Sequence, residues 1–230
     1  MNDTLFQVAA LVIPLIIAIV FHEVAHGWTA RALGDPTAAQ LGRLTLNPIK
    51  HVDPFGTIIL PGMLKLAGLP VFGWAKPVPV VKGRLRNPRR DMMIVAAAGP
   101  GSNLIMALIG AVSLGLVMRG FAAEAEPSLA VSFLAANLFN FILLNIFLAL
   151  FNLLPIPPFD GGHIVEGLLP PQAARKYAAM HSKALLIMIL LLVVLPWIAP
   201  SLNVVSWLVL PPVEWLTDHY LKIAQAVAGK

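Results

Sequence analysis

Leu11 to Val20 pass without a charge, and the first ionisable side chains that this apolar run meets are His22, Glu23 and His26, within Phe21-His22-Glu23-Val24-Ala25-His26. A stretch of that length and apolarity is buried in protein or lipid, and as a helix it sets residues i and i+4 on one face, one turn apart. Both imidazoles can then reach a single ion with Glu23 beside them, the arrangement of a His-Glu-x-x-His zinc site. Ionisable groups inside an apolar span are costly and mark sites of function. The first helix is therefore read as a membrane span that carries a metal-binding, catalytic arrangement.

Composition supports the lipid alternative. The 230 residues are 58% hydrophobic and only 12% charged, with a mean hydropathy of +0.82, which is too little charge to cover a water-soluble surface. The net charge of +5 and a pI near 9.8 do not point to nucleic acid, because most basic residues flank apolar spans as topology determinants do. There is no cysteine, so disulfides, thiolate metal sites and cysteine nucleophiles are excluded. A metal must be held by His, Asp, Glu or water. Met1-Asn2-Asp3-Thr4 lacks the basic region of a secretory signal, so the first helix is expected to be retained.

In chain order, Leu5 to Ala30 is long enough to cross a bilayer and is stopped by Gly34-Asp35-Pro36. Residues 36–83 differ in kind, with many Gly and Pro and with β-like pieces at Leu44–Leu46 and Val78–Val80 that can offer a strand edge to an extended substrate. Pro54 to Leu69 is apolar but short and broken, as in a re-entrant element. Lys76, Lys82, Arg84, Arg86, Arg89 and Arg90 then place this loop in the cytoplasm by the positive-inside rule, with the N-terminus outside. The second span, Met92 to Met118, contains Ala98-Gly99-Pro100-Gly101-Ser102-Asn103, which permits close helix approach and puts an amide in the bundle. Arg119 to Pro127, with Glu124 and Glu126, reads as an outer loop.

The third span, Leu129 to Leu154, carries Asn137, Asn140, Asn145 and Asn152 and ends in Pro155-Ile156-Pro157-Pro158-Phe159-Asp160-Gly161-Gly162. These prolines cannot continue a helix, so Asp160 is presented on a turn closed by two glycines. Counting crossings brings His22, His26 and Asp160 to the same membrane level. Residues 163–183 read as an amphipathic connection in which His163 and His181 are solvated or interfacial. Ala184 to Ala199 and Asn203 to Leu216 follow as two short spans or one kinked span. The expected fold is an all-α polytopic membrane protein. A three-helix catalytic core occupies residues 1–170, the C-terminal spans 171–230 belong to the same domain, and a small β-like re-entrant or membrane-associated element lies between the first two core helices.

These residues resemble the site-2 proteases, a family of intramembrane zinc metalloproteases. The likeness rests on His22-Glu23-x-x-His26, on Gly99-Pro100-x-x-Asn103, and on Asn152-x-x-Pro155-x-Pro157-x-x-Asp160-Gly161, in the family's order. Family-like wording also fills Asn47 to Thr57 and Gly73 to Val80, so the likeness covers about residues 10 to 170. It implies one zinc ion per chain held by His22, His26 and Asp160, with Glu23 as the base and Asn152 steadying the oxyanion. It also implies cleavage of a transmembrane substrate. No inserted PDZ domain and no CBS pair is present, as in a minimal form of the family.

The residues themselves allow the same chemistry. Three protein ligands leave a fourth zinc position open, and the ion activates water and polarises a carbonyl. A divalent-metal transporter would also place His, Asp and Asn among membrane helices, but it predicts a repeat that the sequence does not show and leaves Glu23 unexplained. Another intramembrane zinc hydrolase, such as a prenyl-peptide protease, would share the first motif without the Pro-rich Asp motif.

Overall fold

Four helices that are long and apolar enough to cross a bilayer dominate the computed structural model, which describes residues 3–66, 68, 73–121 and 127–229. Helix α1 (Asp3–Ala32) is apolar on all sides and, at about 1.5 Å per residue, outspans a bilayer core of about 30 Å. It stops where Gly34 turns to a φ of 111° and the Asp35 N–H bonds back to the Ala30 carbonyl. Helix α4 (Pro88–Gly120) starts at Pro88 in the first helical position, where its missing N–H costs nothing. The Asn87 side chain caps Arg90, and Asp91 reaches back to the Asn87 N–H at 2.8 Å. Helix α5 (Leu129–Asn152) starts at a Ser128 cap and ends where the prolines begin.

The three helices form one antiparallel unit. Ala18 of α1 meets Asn103 of α4, while the Asn140 amide of α5 donates to the Ala10 carbonyl at 2.8 Å and Phe6 packs edge-on against Phe133. Thus α1 and α5 run together and α4 runs against both. Their shared core includes Ala107 and Ala111 of α4 against Ile142 and Ile146 of α5, all fully buried. Small residues on α4 bring the backbones close, and the polar side chains of α5 serve as links between helices.

Two short helices, α2 (Thr37–Gln40) and α3 (Pro54–Leu66), lie between α1 and α4. With 13 residues α3 reaches about 20 Å, short of a crossing, and it exposes Phe55, Ile58, Ile59, Met63 and Leu66. The expected β-like element does not form, since no strand occurs among the described residues. Residues 73–81 have no regular secondary structure, and Pro77 and Pro79 have no N–H to donate. The N–H groups of Trp74, Lys76, Val78 and Val81 are taken by Gly56, His51, Glu23 and Asp35. That stretch is a strap bonded along its length to the protein, with too few free donors to serve as a substrate-binding edge. Glu124 and Glu126, and part of the 54–69 segment, lie outside the described residues.

After α5 come α6 (Asp160–Leu168) and a 28-residue helix, α7 (Pro171–Ile198), which is the fourth candidate span. Its first part, Pro171–Ala178, is amphipathic, as expected for the connection, and it runs on through a 3₁₀ turn into the apolar residues that make α7 a candidate span. The last helix, α8 (Leu210–Ala228), is not among the candidate spans and packs on α4, with Gly115 against the Ala224 carbonyl and Val227.

Candidate metal centre

Helix α1 places His22 and His26 one turn apart on the side that meets α4, and the N-terminus of α6 brings Asp160 to them. His22 Nε2 and His26 Nε2 are 3.1 Å apart, and Asp160 Oδ2 lies 3.2 Å from the first and 3.3 Å from the second. The side chains are only 9%, 12% and 17% exposed. Donor atoms around a tetrahedral zinc with bonds of about 2.0 Å stand about 3.3 Å apart, so this triangle fits one face of such a site.

The far side of each ring fixes its tautomer. His26 Nδ1 donates to the Val95 carbonyl at 2.7 Å. His22 Nδ1 lies 2.6 Å from Asn103 Oδ1, and the orientation of that amide follows from its other bonds. Asn103 Nδ2 donates to the Ala18 carbonyl at 3.2 Å and to Asn145 Oδ1 at 2.8 Å, which leaves Oδ1 facing the imidazole as acceptor. With both Nδ1 atoms protonated, each neutral ring turns an Nε2 lone pair to the centre. Asp160 Oδ2 is buried there without a hydrogen-bond partner. Three electron pairs in one dry spot repel each other unless a cation sits among them, so the donor set fits a zinc ion.

Two close approaches make the convergence possible. A Cβ on Gly99 of α4 would sit inside contact distance of both His26 and His22, so only glycine leaves room for the rings. A Cβ on Gly161 would run into the Leu153 and Leu154 carbonyls, so this glycine lets α6 fold back tightly on the end of α5. Asp160 is consequently the first residue of a helix, not a residue on a turn.

Glu23, half-buried on the same turn of α1, accepts the Val78 N–H through Oε2 at 2.7 Å, so the strap crosses next to the centre. Asn152 is not drawn into the cluster. It is the last residue of α5, and its amide bonds back to the Leu148 carbonyl at 2.9 Å. Sequence reasoning placed Asn103 and Gly99 in the bundle without assigning either to the histidines. The signal was present: the two fall four residues apart, on the face of α4 that meets α1.

Comparisons with known proteins agree with this geometry. The family model of peptidase family M50 matches residues 10–136 and 121–195. YwhC of Bacillus subtilis, named as a candidate zinc metalloprotease, is 40% identical over 94% of this chain and 91% of its own length. Rip2 of Mycobacterium tuberculosis, named likewise, is 31% identical over 94% of this chain and 77% of its own, and Rip2 of Mycolicibacterium smegmatis is 33% identical over 82% and 66%. The chain belongs to peptidase family M50, the site-2 proteases. No solved structure gives a significant match. This M50 peptidase is therefore an integral membrane zinc metalloprotease, and His22, His26 and Asp160 form a cluster among its helices that can hold the ion.

Proposed function

We propose that this M50 peptidase hydrolyses a peptide bond in or near a transmembrane segment of a membrane-protein substrate. The observation that carries the reading is the convergence of His22 Nε2, His26 Nε2 and Asp160 Oδ2 within a bundle of apolar helices. When bound, zinc supplies a Lewis acid that activates water and polarises the scissile carbonyl. Asn103 and the Val95 carbonyl keep the two imidazoles facing inward with the correct tautomer. Glu23 takes the proton from the attacking water and later delivers it to the leaving amine, and the Val78 N–H holds the carboxylate still for both transfers. Asn152 is assigned to the developing oxyanion, which requires its amide to leave the Leu148 carbonyl when substrate binds.

The bilayer is the working environment, and the basic residues between Lys76 and Arg90 orient the active site toward the cytoplasmic side of a prokaryotic inner membrane. A divalent-metal transporter accounts for the ligands but not for a carboxylate fixed beside them by a backbone N–H. The test is reconstitution in liposomes with a single-span test substrate. Cleavage should stop on chelation, return with zinc, and yield new ends that map by mass spectrometry within or beside the span. Zinc-dependent cleavage confined to soluble segments far from the span would refute intramembrane proteolysis.

A further inference from the structure

A second cluster lies on α6, away from the catalytic carboxylate. His163 follows Asp160 by three residues and Glu166 follows His163 by three, so all three side chains share one side of the helix. From the 3₁₀ turn Ala179–Lys183 within α7, His181 reaches the same place. Its Nε2 lies 3.4 Å from Glu166 Oε2, and His163 Nδ1 lies 3.8 Å from that same oxygen. The rings stack with centroids 4.5 Å apart and planes within 18°.

Both of these ring nitrogens are buried from solvent and neither has a hydrogen-bond partner. Leaving two such groups bare is unfavourable. The gaps to Glu166 Oε2 are too long for good hydrogen bonds but close to the separation of about 3.3 Å between ligands that share a tetrahedral ion, which a turn of the stacked rings would reach. The other carboxylate oxygen is fixed by Lys82 Nζ at 2.5 Å, and Arg89 donates to the Glu166 carbonyl. The Lys82 contact leaves Oε2 to face the imidazoles, as an outer partner of a ligating carboxylate does.

We propose that His163 Nδ1, Glu166 Oε2 and His181 Nε2 form a second zinc site, distinct from the catalytic one. Two imidazoles and one carboxylate suit Zn²⁺ better than Mg²⁺ or Ca²⁺, which favour all-oxygen sites. The ion fastens α7 to α6, so the C-terminal span is pinned to the helix that presents Asp160. The second centre is a structural clamp that holds the catalytic carboxylate in place from three residues away.

The test is metal stoichiometry of the purified full chain in detergent, loaded with zinc and freed of excess ion, with no dependence on proteolysis. Wild type should retain about two equivalents, and His181→Gln and Asp160→Asn about one each. Cobalt(II) should give the absorption of a low-coordinate His-carboxylate site in Asp160→Asn, and that absorption should vanish in Asp160→Asn/His181→Gln. If His181→Gln fails to fold, Glu166→Gln keeps the shape of the side chain and carries the same expectation. One equivalent in wild type, or undiminished zinc in both second-site variants, overturns the proposal.

Discussion

Gly99→Ala offers a sharp test of the catalytic geometry because two effects of opposite sign meet there. In an exposed helix interior the change would favour folding by about 0.8–1.0 kcal/mol. Here the added methyl would lie 2.6 Å from His22 Cε1 and 2.5 Å from His26 Cε1, where ordinary contact begins at 3.4 Å. The rings or the helix must therefore move by about 0.8–1.0 Å, since His26 Nε2 itself lies 2.4 Å away, against a tolerance of about 0.2 Å for metal–ligand distances. A 1 Å misplacement near the reacting atoms costs on the order of 100-fold in rate. Gly101→Ala is the control, since nothing lies within 4 Å of the Cβ it would add. The assay is zinc per purified chain beside cleavage of a single-span substrate in liposomes. Gly99→Ala should lose zinc affinity and about 100-fold in activity, while Gly101→Ala keeps both. Full zinc and full cleavage in Gly99→Ala would refute the proposed placement of the histidines.

Other expectations follow from single contacts. Asn103→Leu removes the acceptor at His22 Nδ1 and strands the Asn145 side-chain oxygen in a fully buried place, and it should weaken zinc binding by about 10- to 100-fold in a metal-competition titration. Glu23→Gln should keep its zinc and lose about 100- to 10,000-fold in cleavage rate, with retained cleavage in the zinc-loaded variant removing Glu23 from the mechanism. Asp35 is buried, which pushes its carboxyl up, but hydrogen bonds from Thr37 and Val81, with Arg84, outweigh this and leave it below its ordinary value. Its contribution is thus full above the unfolded value of about 3.9 and is lost as pH falls through the folded one, so wild type should lose its stability advantage over Asp35→Ala in thermal melts only below about pH 4.

The spans and the first motif were legible because lipid demands long apolar runs and leaves the few polar residues conspicuous. The meeting of Asp160 with His22 and His26 followed from counting crossings, and α1 and α5 do run in the same direction. The strap at residues 73–81 was misread because alternating valines suggest a strand, whereas Pro77 and Pro79 remove the donors a ladder needs and Glu23 and Asp35 take others. His163 and His181 passed as solvated because eighteen residues and a helix break separate them, and no local period predicts their stacking. Gly99 was legible as a close approach, but only the structure shows that the approaching group is a pair of imidazoles. The backbone bond of Asn152 to Leu148 could not be foreseen from its place in a motif.

The central claim is that Asp160, from the far end of the third span, completes the site begun by His22 and His26. Its most direct measurement is zinc per chain and cleavage rate for Asp160→Asn, made in the His181→Gln background so that only the catalytic site is counted. The amide keeps the shape of the side chain and loses the charge, so zinc and cleavage should fall together while the protein still inserts and folds. Full zinc with full cleavage in that variant would contradict the site.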